Sequence, residues 1–177
     1  MNENYLVLTA LGPDQLGLVK ALARLCATCG CNIIDSRMTS AGQAFAMILH
    51  LSGSWSAIAK LEAALPSLSK KQNLTIQAKR TQPKNQSCPI LPYAIQIIGL
   101  DKPGVLSEIA HFFVDEGIMI HSLAMDTQTL ASSHSQIISI NLTIKVPAET
   151  HLASLRERFL EYCEDRNLDA LMEPECA

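Results

Sequence analysis

The sequence predicts an α+β protein built from two consecutive βαββαβ modules, each an antiparallel four-stranded sheet with two helices on one face. Three observations carry this expectation. A segment of the chain repeats at fixed spacing, the mark of a duplicated unit. Within each copy, short apolar runs of strand character and stretches of helical periodicity follow one another in the order β-α-β-β-α-β, that of the ferredoxin-like class. Between the copies lies a polar stretch containing prolines.

The repeat aligns Leu11–Thr39 with Ile98–Asp126 without a gap, at a constant spacing of 87 residues. It matches Gly12 with Gly99, Asp14 with Asp101, Gly17 with Gly104, Gly30 with Gly117, Ile33 with Ile120 and Met38 with Met125. Each copy opens on an apolar run suited to a buried strand, Tyr5–Leu11 and Tyr93–Ile98, and turns at once through Gly12-Pro13-Asp14 or Gly99-Leu100-Asp101. From Leu16 to Cys29, Leu18, Val19, Leu22, Leu25, Cys26 and Cys29 recur at helical spacing; Val105, Leu106, Ile109, Phe112 and Phe113 do so in copy two. Gly30 and Gly117 supply the helix-ending residues.

A second strand is expected over Asn32–Thr39 and Met119–Thr127, and a third over Phe45–Leu51 and Gln136–Val146. In the latter, Ile138, Ile140, Leu142 and Ile144 alternate with polar residues, so one sheet face is buried and the other more polar. Helices near Trp55–Leu65 and Glu149–Asn167 and closing strands near Leu74–Lys79 and Leu168–Glu173 complete the modules. The stretch 81–91, TQPKNQSCPIL, reads as a linker, giving domains 1–80 and 92–177.

Apolar residues make up 48% of the 177, enough for a core in each half. Fourteen Lys and Arg against seventeen Asp and Glu leave a net charge of −3 with no clustered basic tract, which disfavours independent nucleic-acid binding. No run approaches the ~20 apolar residues of a membrane span, and the first residues lack a signal peptide's basic start and cleavage site, so a cytoplasmic protein is expected. In that reducing compartment the six cysteines are expected as free thiols.

The βαββαβ order hosts many functions, so the loops must discriminate. An RNA-binding sheet would need exposed aromatics on its first and third strands, but Tyr5, Phe45 and Tyr93 stand isolated. A metal carrier of this topology would place Cys-x-x-Cys in the loop after strand one, where Gly12-Pro13-Asp14-Gln15-Leu16-Gly17 stands instead. Cys26, Cys29 and Cys31 span a helix end and a strand start, a string that fits buried core thiols better than a metal or redox site. The five histidines assemble no catalytic or metal-binding spacing, and neither an enzyme nor a bound cofactor or metal is expected.

The strand-to-helix loop is the candidate site. Asp14 precedes the helix, and Gly17 removes a side chain beside first-turn amides that can receive a carboxylate. Asp14 can accept from an ammonium group, and Asn32, just after Gly30, can hold the other end of a small zwitterion. Equally, Asp14 can serve only as the helix N-cap.

These residues resemble the ACT domain, an amino-acid-sensing module with an Asp/Asn-x-x-Gly-hydrophobic loop, here Asp14-Gln15-Leu16-Gly17-Leu18 and Asp101-Lys102-Pro103-Gly104-Val105. More narrowly, Tyr5–Gly12, Cys29–Arg37 and Leu51–Ile58 resemble the glycine cleavage system transcriptional repressor family. The resemblance implies ligand contacts from Asp14 and Asn32; with the loop residues Gly12, Gly17 and Leu18 these make up the candidate site, and Asp101 and Gly104 are its partial counterparts in copy two. Copy two has Met119 where copy one has Asn32 and so lacks that anchor. It also implies a regulator that senses a small amino acid, glycine first, and restrains a LysR-type transcriptional activator without touching DNA. A homo-oligomer is compatible with this reading, and a regulatory subunit or interaction module of an amino-acid enzyme is the alternative.

Overall fold

The computed structural model describes residues 3–83, 90–129 and 135–175. The chain divides into two compact units, Met1–Asn85 and Gln86–Ala177. The first contains β1 (Asn4–Pro13), α1 (Leu18–Cys29), β2 (Asn32–Ala41), β3 (Ala44–Gly53), α2 (Trp55–Gln72) and β4 (Thr75–Thr81). The second repeats the order with β5 (Ile90–Leu100), α3 (Val105–Asp115), β6 (Met119–Thr129), β7 (Gln136–Pro147), α4 (Leu152–Glu164) and β8 (Leu168–Pro174).

Each sheet is four-stranded and antiparallel, in the orders β2-β3-β1-β4 and β6-β7-β5-β8. The fold class expected from the pattern is the one observed. Side chains alternate along a strand, so one face of the first sheet carries Leu6, Leu8, Ala10, Phe45, Met47, Leu49 and Leu51 into a single core. Both helices close over that face, contributing Leu18, Leu22 and Cys26 from α1 and Ile58, Leu61 and Leu65 from α2. The second unit builds the same layer from Ile95, Ile97, Ile138, Ile140, Leu142 and Ile144 beneath Phe112, Phe113 and Phe159.

Element ends differ from expectation for local reasons. α1 begins at Leu18 rather than Leu16, because Gly17 adopts φ 95°, a left-handed conformation that the helix cannot include. α2 carries Pro66 inside it and continues to Gln72, where Asn73 at φ 52° caps it. α4 is shorter than the expected 149–167: its last turn tightens through bonds from the amides of Arg166 and Asn167 to the carbonyls of Cys163 and Glu164. Of the expected linker, Thr81 ends β4, Ile90 and Leu91 begin β5, and residues 84–89 lie outside the described part.

The outer strands β2 and β6 are edges. β2 is exposed along nearly its whole length, and both strands bulge at matching places, between Ile33 and Asp35 and between Ile120 and Ser122. A bulge leaves an extra residue unopposed and increases the local twist.

Candidate functional site

The loop joining β1 to α1 is held at both ends by the main chain. The Asp14 amide donates to the Gln43 carbonyl at 2.9 Å, anchoring the loop to the β2–β3 turn, and Asp101 repeats this bond to Gln136 at 2.9 Å. The Ser40 hydroxyl donates to the Asp14 carboxylate at 2.8 Å. The helix N-cap is Gly17, with no side-chain cap bond, so Asp14 does not act as the cap. Its carboxylate is exposed, and because a carboxylate offers about four lone-pair sites it retains capacity beyond the Ser40 bond.

The first intrahelical bond of α1 runs from the Ala21 amide to the Gly17 carbonyl at 2.9 Å, so the amides of residues 18–20 precede any helical acceptor. In the second unit the Val105 amide already bonds the Lys102 carbonyl at 3.3 Å, and the described residues of the first unit have no counterpart to that bond. The first-unit loop is thus the more open cradle for an anion. Leu16 in the loop is wholly exposed, and Val19 in the first turn of α1 is also exposed.

Gly12 serves packing. A Cβ there would lie 2.7 Å from the Asn73 carbonyl oxygen and 2.8 Å from the Leu74 side chain, so the turn into β4 requires its absence. At Gly99 a Cβ would instead meet the end of the Leu168 side chain, with the Asn167 carbonyl oxygen at 3.4 Å. Gly17 and Gly104, by contrast, face open space and are required by backbone conformation, at φ 95° and 97°. Leu18 is buried beneath the loop as the first core residue of α1.

Asn32 is not beside Asp14. It opens β2 opposite Ser52, which in turn pairs with Tyr5 near the start of β1, whereas Ser40 pairs with Phe45 and Phe45 with Gly12 at the other end. Eight residues of strand separate Asn32 from Ser40, roughly 26 Å at ~3.3 Å per residue. The two also project to opposite faces: Ser40 lies in the row of Phe45, on the helix side, and Asn32 lies in the row of Tyr5 and Ser52, on the open side. Within one module the structure brings Gly12, Asp14, Gly17 and Leu18 together and leaves Asn32 apart. Ser40 and Gln43 were not legible in the sequence, because they reach the loop across 26 and 29 positions of chain by strand pairing alone.

The fold and the loop define a protein of two tandem ACT domains. One ACT domain profile matches residues 4–79 and a second matches residues 91–162. The chain is 33% identical over 168 residues to the glycine cleavage system transcriptional repressor of Escherichia coli (strain K12), spanning 94% of this chain and 87% of that one. It also aligns with a crystal structure provisionally described as a glycine cleavage system transcriptional repressor, at 29% identity and a TM-score of 0.73, over 98% of each chain. An unknown protein from Galdieria sulphuraria shares the fold, with a TM-score of 0.79 at 19% identity over 99% of this chain and 100% of that one. The chain belongs to the family of the glycine cleavage system transcriptional repressor.

Proposed function

We propose that the chain is a non-catalytic regulator in the cytoplasm that senses a small amino acid, glycine first, and passes the signal to a LysR-type transcriptional activator rather than to DNA. The observation that carries this reading is the first-unit loop, which holds an exposed carboxylate at Asp14 and leads directly into helix amides that precede the first helical acceptor. Opposite charges on one small zwitterion match those two features: the ammonium meets Asp14 and the carboxylate meets the amides of 18–20. The family relation supports the regulatory role, and the acidic balance of the chain supports action through a protein partner.

Asn32 enters the site from a second copy of the chain. β2 is an exposed edge, and exposed edges pair readily. If two β2 strands pair antiparallel about Ser36, the end of β2 that carries Asn32 in one copy comes alongside the end that carries Ser40 in the other, near its Asp14 loop. The site is then shared, and each dimer holds two.

Titration calorimetry with glycine, and with serine for comparison, tests the reading directly. Asp14→Ala and Asn32→Ala each weaken binding about ten- to a hundredfold when pure, so that at parental working concentrations their sites stay empty. Mixed in equal amounts and allowed to exchange, they form mixed dimers in which one of the two sites is intact, so about a quarter of the parental sites return. No recovery on mixing removes the shared site, and absence of glycine and serine binding by the parent removes the sensing role.

A further inference from the structure

The three cysteines at the end of α1 are not used by the ligand site. Gly30, at φ 80°, closes α1 with two bonds: its own amide to the Ala27 carbonyl at 3.0 Å and the Cys31 amide to the Cys26 carbonyl at 2.9 Å. This paired arrangement brings together the side chains four residues before and one residue after the helix-ending glycine, and here both are cysteine. The Cys31-to-Cys26 bond limits their Cα atoms to about 7 Å at most, the span within which a disulfide can form. Both sulfurs lie in one core cluster, Cys26 1% and Cys31 7% exposed, and the half-buried Cys29 packs against it. The thiols also sense one another: burial and then the neighbouring sulfurs push Cys26 up to about 11, and burial and then Cys29 raise Cys31.

We infer that Cys26, Cys29 and Cys31 form an oxidisable site in which Cys29 meets a hydroperoxide or similar two-electron oxidant and a Cys26–Cys31 disulfide is the end product. Cys29 is the entry because the other two are buried and held protonated, and the thiolate is the reacting form. Its thiolate attacks the peroxide oxygen, the O–O bond breaks, the alcohol or water leaves, and a sulfenic acid remains. The Cys31 sulfur attacks the sulfenic sulfur and hydroxide departs as water. Cys26 then attacks the Cys31 sulfur and returns Cys29 as a thiol. In total, two thiols and one hydroperoxide give one disulfide, one alcohol and one water. The final pair is favoured because its backbone is already closed by a hydrogen bond, whereas a Cys29–Cys31 bond would span only Gly30 and distort its left-handed turn. The disulfide would tie the end of α1 to the residue immediately before Asn32.

The experiment uses the full chain, one to two equivalents of hydrogen peroxide under native conditions, then alkylation with iodoacetamide in denaturant and tryptic digestion. All three cysteines fall in one tryptic peptide, Leu25–Arg37. The expected product has lost two hydrogens and carries a single alkyl group, on Cys29, while the buried Cys163 stays reduced. Cys29→Ser, or Cys29→Ala if the serine variant misfolds, should reach the same disulfide at least tenfold more slowly. Three alkylated cysteines, an alkyl group on Cys26 or Cys31, or a Cys29 variant oxidised as fast as the parent would overturn the assignment.

Discussion

Asn32 and Asp14 belong to opposite ends and opposite faces of the same sheet, the first in the row of Ser52 and Tyr5, the second beyond the row of Phe45 and Gly12, tied to Ser40 at 2.8 Å. Because Gly17 rather than Asp14 caps α1, Asp14→Ala removes one exposed hydrogen bond and no helix cap. Its cost to ligand-free stability should stay below about 1 kcal/mol, while the loss of a charge-assisted contact lowers glycine affinity about ten- to a hundredfold. Denaturant melts and calorimetry on the same preparation separate the two effects. A large loss of stability with unchanged binding would return Asp14 to a purely structural role.

The edge of β2 gives a second test. Met38 is 55% exposed on that strand. Met38→Lys should leave the fold intact, since an exposed site tolerates charge, but should weaken strand pairing between copies, because an edge lysine blunts such pairing. Sedimentation or size-exclusion chromatography should show a smaller species, and glycine binding should fall with it. A variant that associates and binds as the parent does would show that β2 is not the shared edge.

Gly12 and Gly99 are equivalent in the repeat but differ in what stands beside them. At Gly12 a methyl meets the Asn73 carbonyl oxygen at 2.7 Å, part of the backbone, whereas at Gly99 the nearest atom is the end of the Leu168 side chain and the backbone oxygen stands at 3.4 Å. A side chain can turn aside and a main chain cannot. Gly12→Ala should therefore cost about 3 kcal/mol and Gly99→Ala about 1 kcal/mol, the two ends of the usual overpacking range. Urea melts of the two variants should rank in that order.

Gly17 has nothing within 4 Å of an added Cβ, so the cost of replacing it is conformational alone. At φ 95°, Gly17→Ala should lose about 1–2 kcal/mol, and Gly17→Asn should lose less, because asparagine tolerates left-handed backbone better. Equal losses for the two variants would point to a contact rather than to backbone strain.

Burial holds the thiols of Cys26 and Cys163 at about 11, against an ordinary value of 9.0. The folded state thus keeps protons that the unfolded chain releases. Stability from this source is complete below about pH 9 and is lost as pH rises toward 11, at about 1.4 kcal/mol per pH unit for each thiol. Denaturant midpoints measured between pH 8 and 10 should fall, and Cys163→Ala should show a shallower decline than the parent whatever its absolute stability. Parallel slopes would mean that Cys163 titrates normally.

The sequence by itself determined the duplicated βαββαβ order, the glycine that ends α1, and the loop carrying Asp14 and Gly17. Each of these is written in neighbouring residues: a helical stripe such as Leu18, Leu22 and Cys26, the alternation Ile138, Ile140, Leu142 and Ile144, or a backbone angle only glycine takes readily. Only the tertiary structure decided that Ser40 holds Asp14, that Gly12 makes room for β4, and that Asn32 stands across the sheet from the loop it was expected to join. Those relations depend on which strands pair and in what register, and a shift of one residue would send every side chain of β2 to the other face. Strand register is set by the whole buried face acting together, so no local stretch of chain records it.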